Sequence, residues 1–169
     1  MIGIKEEFPD FLLTGIDKNN NFIDVSRSHL DGWSVIYFYP KDFTFICPTE
    51  IEQMDRLVDE GVNVFGISGD NEYCKLAWKK SNALISSIRH SLLADSGISL
   101  ASQLGVVDED EGVCLRATFI LNENHDVMHV SVNELDTGRN VNEVIRTLRA
   151  LRAGGLTGCE WNPGDEFVG

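Results

Sequence analysis

The stretch Pro40-Lys41-Asp42-Phe43-Thr44-Phe45-Ile46-Cys47-Pro48-Thr49-Glu50 follows an apolar run over residues 33–39 and precedes a segment with Ile51, Met54, Leu57 and Val58 on one helical face. The run reads as a buried strand and the segment as an amphipathic helix. Cys47 therefore stands on a strand-to-helix turn, at or just before the first helical turn. Pro48 sits where a helix tolerates proline best, because the first N–H groups have no intrahelical partner. Those free N–H groups and the positive end of the helix dipole favour an anion at this point. The thiolate is the reactive form of a cysteine, so the stretch points to sulfur chemistry at Cys47.

The surrounding sequence narrows the setting. A chain of 169 residues, 43% hydrophobic and 24% charged, suggests one globular domain able to bury a core without disulfide staples. A net charge of −13 argues against a nucleic-acid partner or an anionic membrane surface. The start of the chain lacks a charged-then-apolar leader, and no apolar run approaches membrane-spanning length. A cytoplasmic location is the expectation, and there four cysteines imply catalytic or transient disulfides rather than a stable framework. Cys47, Cys74, Cys114 and Cys159 are scattered, and His125 and His129 lack a second pair of ligands, so no metal site is expected. Nor does the acidic stretch 108–112 carry calcium-loop spacing.

Outward from the Cys47 turn, residues 8–25 read as a hairpin-like lead-in around the polar turn 17–21. Residues 62–68 read as a second strand, 71–81 as a helix carrying Leu76 and Trp78, 91–94 as a short strand and 98–104 as a short helix. Residues 115–121 and 127–132 form an expected antiparallel pair. Asn140 and Glu143 resemble a capping box, opening a helix with Val141, Val144, Ile145, Leu148 and Leu151 on one face and ending at Gly154-Gly155. Residues 156–169 show no clear period. The order is α/β with a mixed central sheet flanked by helices and an antiparallel edge. With a reactive cysteine at its first strand–helix turn, it points to a thioredoxin-like fold. The expected organisation is one unit, residues 1–155, with an N-terminal hairpin extension and a C-terminal tail over 156–169.

The spacing Pro40-x-x-x-Thr44-x-x-Cys47 resembles the active-site signature of the peroxiredoxins. The wider run from Phe38 to Glu50 is similar to the typical two-cysteine branch that includes alkyl hydroperoxide reductase C. Leu76-Ala77-Trp78, Leu115-Arg116-Ala117-Thr118-Phe119-Ile120 and Gly138-Arg139-Asn140-Val141-Asn142-Glu143 fall in the family's order. Cys159 with Trp161 and Gly164-Asp165 resembles its resolving-cysteine segment. The resemblance implies a thiol peroxidase acting on hydrogen peroxide and alkyl hydroperoxides without a cofactor. It implies that Cys159 of a partner subunit resolves the sulfenic acid formed on Cys47. A thioredoxin-like, flavin-linked or lipoyl-linked protein would then reduce the disulfide, and the assembly would be a homodimer or a decameric or dodecameric ring of dimers.

Chemistry assigns roles at the matching positions. Cys47 is the nucleophile. Arg116, on a later strand, is a fixed cation for the thiolate and for a peroxide oxygen. The Thr44 hydroxyl can accept the peroxide proton or donate to sulfur, and Pro40, without an N–H, closes the pocket against water. Glu50 orients Arg116 rather than acting as a base, and Arg139 is a second cation near the site. Cys74 and Cys114 are read as structural, Trp78 as packing, and the four histidines are given no chemistry. Residues 82–91 contain no glycine, and the Gly-Gly-Leu-Gly insertion and C-terminal Tyr-Phe helix of oxidation-sensitive members are missing from the sequence. The expectation is an enzyme that resists overoxidation to sulfinic acid.

Three other readings compete. A thiol–disulfide oxidoreductase needs a second cysteine three residues beyond Cys47, where Glu50 stands instead, and a proline leading into the later strand. A one-cysteine peroxidase would leave Cys159 idle. A holdase role for a ring assembly, binding unfolded clients, is neither supported nor opposed by the acidic composition.

Overall fold

Ser34, Val35, Ile36, Tyr37 and Phe38 are all buried and form β3 (Ser34–Phe38), the strand that leads to Cys47. A strand with no exposed side chain belongs in the middle of a sheet covered on both faces. The computed structural model, which describes residues 1–169, places it there. The chain divides into two compact units, Met1–Arg139 and Asn140–Gly169.

The first unit is built on a seven-stranded sheet. Its strands are β1 (Leu12–Ile16), β2 (Phe22–Ser26), β3, β4 (Asn63–Ser68), β5 (Ser91–Ala94), β8 (Arg116–Leu121) and β9 (Val127–Asn133), in the order β2-β1-β5-β4-β3-β8-β9. Strands β3, β4 and β5 are parallel, while every other pairing is antiparallel. The crossovers between the parallel strands carry α1 (Cys47–Met54) and α2 (Glu72–Ser81), as parallel pairing requires. This is the mixed α/β, thioredoxin-like architecture expected. The lead-in hairpin β1–β2 forms one edge of the sheet, and β8–β9 the other.

Alternate residues of β3 serve different faces. Ile36 and Phe38 join Phe8, Ile67, Leu93, Phe119 and Leu121 in one continuous core. Phe119 meets Phe8 and Phe38 edge-on, with ring centroids 5.6 and 6.0 Å apart, a favoured aromatic geometry. Tyr37 points to the opposite face, opposite Gly66 in the β3–β4 register.

Several local expectations change. The helix after Cys47 does not continue through Val58: α1 ends at Met54, and Asp55–Glu60 tightens into a 3-10 segment that closes on Gly61 in the left-handed region. Asp55 is held there by Arg89 and His90, both of which donate to it. The short helix α3 (Ser99–Leu104) starts after Ile98 rather than at it. Its first free N–H groups, those of Leu100 and Ala101, are taken by the buried Asp95 carboxylate at 3.1 and 2.9 Å. The acidic stretch at 108–112 closes a small separate hairpin, β6 (Val107–Asp108) with β7 (Val113–Cys114), whose two-residue strands are too short to show a period.

The second unit opens with α4 (Val141–Ala153). Asn140 caps it by accepting from the Glu143 N–H at 3.1 Å, and Gly154 ends it with φ +79°. Within this unit Trp161 stacks on Phe167 and its carbonyl accepts from Arg146 at 3.0 Å. No helix of the protein is long and apolar enough to cross a membrane.

Gly66 has no Cβ because Tyr37 occupies that space: a Cβ would fall within 2.5 Å of Tyr37 Cζ. Gly66→Ala should displace the ring and destabilise the protein by about 1–3 kcal/mol, read as a lower urea midpoint with an unchanged slope.

Candidate active site

Cys47 is the first residue of α1. Ile46 before it already has helical dihedrals, and its carbonyl accepts from the Thr49 and Glu50 N–H groups at 3.0 and 3.3 Å. Pro48 follows at the next position, where a missing N–H costs no helical bond. The side chain of Cys47 is wholly buried.

The sheet brings Arg116 to this sulfur. Tyr37 of β3 pairs with Thr118 of the antiparallel β8, so Arg116, two residues earlier in β8, reaches the carboxyl end of β3 where the Cys47 turn begins. Its Nη1 lies 3.3 Å from Cys47 Sγ and 2.5 Å from Glu50 Oε1, and its Nε donates to the Leu135 carbonyl at 2.6 Å. Burial works against the charge on Arg116, but the bonds to Cys47 and Glu50 outweigh it and hold its pKa above the ordinary arginine value.

The other oxygen of Glu50 belongs to Arg139. Oε2 accepts from the Arg139 backbone N–H at 3.0 Å and lies 2.9 Å from its Nε. That Nε has no aligned hydrogen-bond acceptor, so the Nε contact is ionic rather than a directed bond. Nη1 of Arg139 donates to the Ala117 carbonyl at 2.7 Å and to Thr118 Oγ1 at 3.1 Å, and Nη2 donates to the Phe38 carbonyl. Burial pushes the Arg139 pKa down, with Glu50 pulling it back. Two guanidiniums and one carboxylate leave one positive charge in excess beside the sulfur, and a thiolate would balance it.

The remaining expected residues are placed as follows. Thr44 is half-buried, and its hydroxyl donates to the Lys41 carbonyl at 2.8 Å within the turn leading to α1. Pro40 lines a cleft of about 260 Å³ with Lys41, Gly69, Asp70, Gly97 and Ile98; Cys47 is not among its lining residues. Trp78 is buried and packs its ring 6.0 Å from both Tyr39 and Phe43. Cys159 belongs to the second unit and is exposed, beside Arg146, Glu143, Glu160 and Asn162. Burial, with Asp42 and Asp70 nearby, pushes the Cys74 thiol up to about 11, and burial pushes Cys114 up to about 12. Both stay protonated at neutral pH, in keeping with packing roles.

Inspection of the sequence missed the group that pins the motif from behind. Asp42 is fully buried and pairs with the equally buried Lys75 Nζ at 3.2 Å. Tyr39 Oη donates to Asp42 at 2.7 Å, Lys75 donates to Ser68 Oγ at 2.6 Å, and the Asp42 N–H donates to Asp70 at 2.7 Å. Burial lowers the Lys75 pKa, opposed by Asp42. The available signal was a lysine three residues before Trp78, on the apolar face of α2. Asp42, Asp70 and Cys74 bring ligand atoms within 4.8 Å of one another, but the Lys75 ammonium already supplies the positive charge there.

A model of the AhpC/TSA family matches residues 4–130. The chain belongs to the AhpC/TSA family. It is 35% identical to the alkyl hydroperoxide reductase C of Mycolicibacterium smegmatis, over 99% of this chain and 94% of that protein. It is 33% identical to peroxiredoxin-1 of Gallus gallus, over 95% and 86% respectively. The solved structure of the reduced 2-Cys peroxiredoxin of Plasmodium vivax superposes with a TM-score of 0.91, at 32% identity over 98% of this chain and 92% of that one. This AhpC/TSA protein is therefore a peroxidase-type oxidoreductase with the thioredoxin-like peroxiredoxin fold.

In this AhpC/TSA protein Glu50 neutralises part of two buried cations. Removing it in Glu50→Ala should leave both guanidiniums short of a counter-charge and cost about 3–5 kcal/mol. Chemical denaturation checks this, and Glu50→Gln should recover only part of the loss.

Proposed function

We propose that Cys47 is the peroxidatic cysteine of a two-cysteine thiol peroxidase and that Cys159 resolves it. One observation carries the reading: a wholly buried cysteine at a helix start, with Arg116 Nη1 3.3 Å from its sulfur. The Cys47 thiolate attacks one peroxide oxygen and the O–O bond breaks. Sulfur keeps that oxygen as a sulfenic acid, and the other oxygen leaves as alkoxide or hydroxide. Arg116 stabilises the charge moving onto the departing oxygen. The Thr44 hydroxyl, which gives its hydrogen to the Lys41 carbonyl, keeps oxygen lone pairs that can accept a hydrogen bond from the peroxide O–H, whose proton stays on the oxygen that sulfur takes. Pro40 restricts water at the turn. Glu50 and Arg139 position Arg116.

The buried sulfenic acid must then emerge. The Cys159 thiol condenses with it, water leaves, and a disulfide forms; the family resemblance favours a bond between subunits of a homodimer or ring. Cys47 occupies the first turn of α1, the part of a helix that opens at least cost. A thioredoxin-like, flavin-linked or lipoyl-linked dithiol protein returns two electrons and two protons and restores both thiols. Hydrogen peroxide and alkyl hydroperoxides are the proposed substrates.

Cys47→Ser should abolish peroxide consumption with a dithiol reductant. Cys159→Ser should complete one fast turnover, stop at the sulfenic acid and lose the disulfide-linked dimer on a non-reducing gel. Normal recycling in Cys159→Ser would replace this scheme by a one-cysteine mechanism. Full activity in Cys47→Ser would remove the peroxidase assignment from this residue and leave a holdase role to be tested with unfolded clients.

Opening of α1 should also compete well with a second oxidation, since no glycine-bearing insertion interrupts residues 82–91. After turnover at millimolar peroxide, intact mass should show disulfide as the main product. Little of the adduct of about 32 Da that marks sulfinic acid should be present; rapid sulfinic acid formation at low peroxide would contradict this.

A further inference from the structure

The buried polar network around Cys47 does not end at Arg139. The Tyr37 ring lies against the Arg139 guanidinium, whose central carbon is 5.0 Å from the ring centroid. Tyr37 Oη is 2.6 Å from His90 Nε2, and His90 Nδ1 is 2.7 Å from Asp55 Oδ1. Tyr37 and His90 are both buried. Asp55 also accepts the His90 and Arg89 backbone N–H groups at 3.1 and 2.8 Å, and the Arg89 side chain closes it from the solvent side at 3.1 Å.

The surroundings decide where the protons sit. Burial works against charge on Asp55, but the bonds from His90 and Arg89 outweigh it and hold its pKa well below the usual carboxylate range. Asp55 therefore accepts, and His90 Nδ1 carries the hydrogen. Burial pushes the His90 pKa down against the pull of Asp55, and the nearby Lys79 and Arg89 cations push the same way as burial. The ring is neutral, its Nε2 is a lone pair, and the Tyr37 hydroxyl must donate to it. A phenol that donates to such an acceptor gains electron density on its ring, and a cation is attracted to that face.

We propose that Tyr37, His90 and Asp55 form a positioning relay that holds an electron-rich face against Arg139, keeps Arg139 on Oε2 of Glu50, and so leaves Arg116 available to Cys47. None of the three touches the sulfur; they act through Arg139 and Glu50. Without the ring, Arg139 loses one of the partners that offset its burial. The Glu50 carboxylate then turns toward Arg116 and draws it from the sulfur. The proposal rests on Cys47 as the reactive sulfur, and its test is chosen to separate the two.

The test uses the reduced full chain and two rates. One is alkylation of Cys47 by iodoacetamide at neutral pH, scored by peptide mass against Cys159 in the same sample, which needs no peroxidase turnover. The other is the second-order reaction with hydrogen peroxide. Tyr37→Leu, which removes the ring, should slow both about tenfold, and Tyr37→Phe, which keeps the face but not the donated hydrogen, about threefold, as expected for a desolvated cation–π contact. His90→Leu should match Tyr37→Phe. His90→Gln, whose amide can accept from Tyr37 and donate to Asp55, should recover to within about twofold of the parent; a role in packing alone would show no such recovery. Should Tyr37→Leu fail to fold, the Tyr37→Phe, His90→Leu and His90→Gln set decides. Cooperative unfolding with parental rates in Tyr37→Phe and His90→Leu would overturn the relay. A parent chain that does not react with peroxide, while alkylation still follows the predicted order, would sink the peroxidase reading and leave the relay standing.

Discussion

The Glu50 carboxylate sits between two buried guanidiniums, with one oxygen on Arg116 and the other on Arg139. Burial makes this arrangement demanding, since each of the three charges loses water and must find its compensation in the others and in backbone carbonyls. Leu135, Ala117 and Phe38 supply those carbonyls. The division of one negative charge between two positive ones leaves the excess beside Cys47, where a thiolate would balance it. Four parts of the first unit contribute to that balance. Strand β8 carries Arg116, β3 offers its last carbonyl, α1 carries both Cys47 and Glu50, and Arg139 arrives from the segment after β9.

The same helix meets two opposed demands. Its first turn holds Cys47 beside a cation and out of solvent, and in the proposed cycle that turn must open. Its far end is tied down: Asp55 and Asp59, in the 3-10 segment that continues α1, hold Arg89 in a mostly exposed ion-pair cluster, and His90 closes on Asp55 from the buried side. Rigid supports at the back of the segment and a terminal turn at the front make local opening possible without loss of the sheet, because helix ends open at lower cost than cores. Lys75 and Asp42 act similarly upstream, anchoring the turn that precedes Cys47 to α2.

Much of this was legible in the residues. The apolar run into β3, the proline placed for a helix start, the Asn140 cap and the acidic turn all act locally, and local rules find them. The motif from Pro40 to Glu50 and Arg116 at the head of a later strand pointed to the site. Arg139 was harder, because a loop residue carries no period; only the antiparallel pairing of β8 and β9 brings the chain back to where it can meet Glu50. Val58 and Ile98 were misplaced at helix ends, where side chains distant in sequence, Arg89 with His90 in one case and Asp95 in the other, settle how the backbone is satisfied.

By itself the sequence determined the strand-to-helix turn, the cysteine upon it and the family pattern, since each depends on neighbours or on spacing. Tertiary structure alone decided the division of Glu50 between two arginines, the burial of Lys75 against Asp42 and the contact of Tyr37 with Arg139. These are balances of desolvation against pairing among groups tens of residues apart, and no local pattern records which charges will share a dry interior.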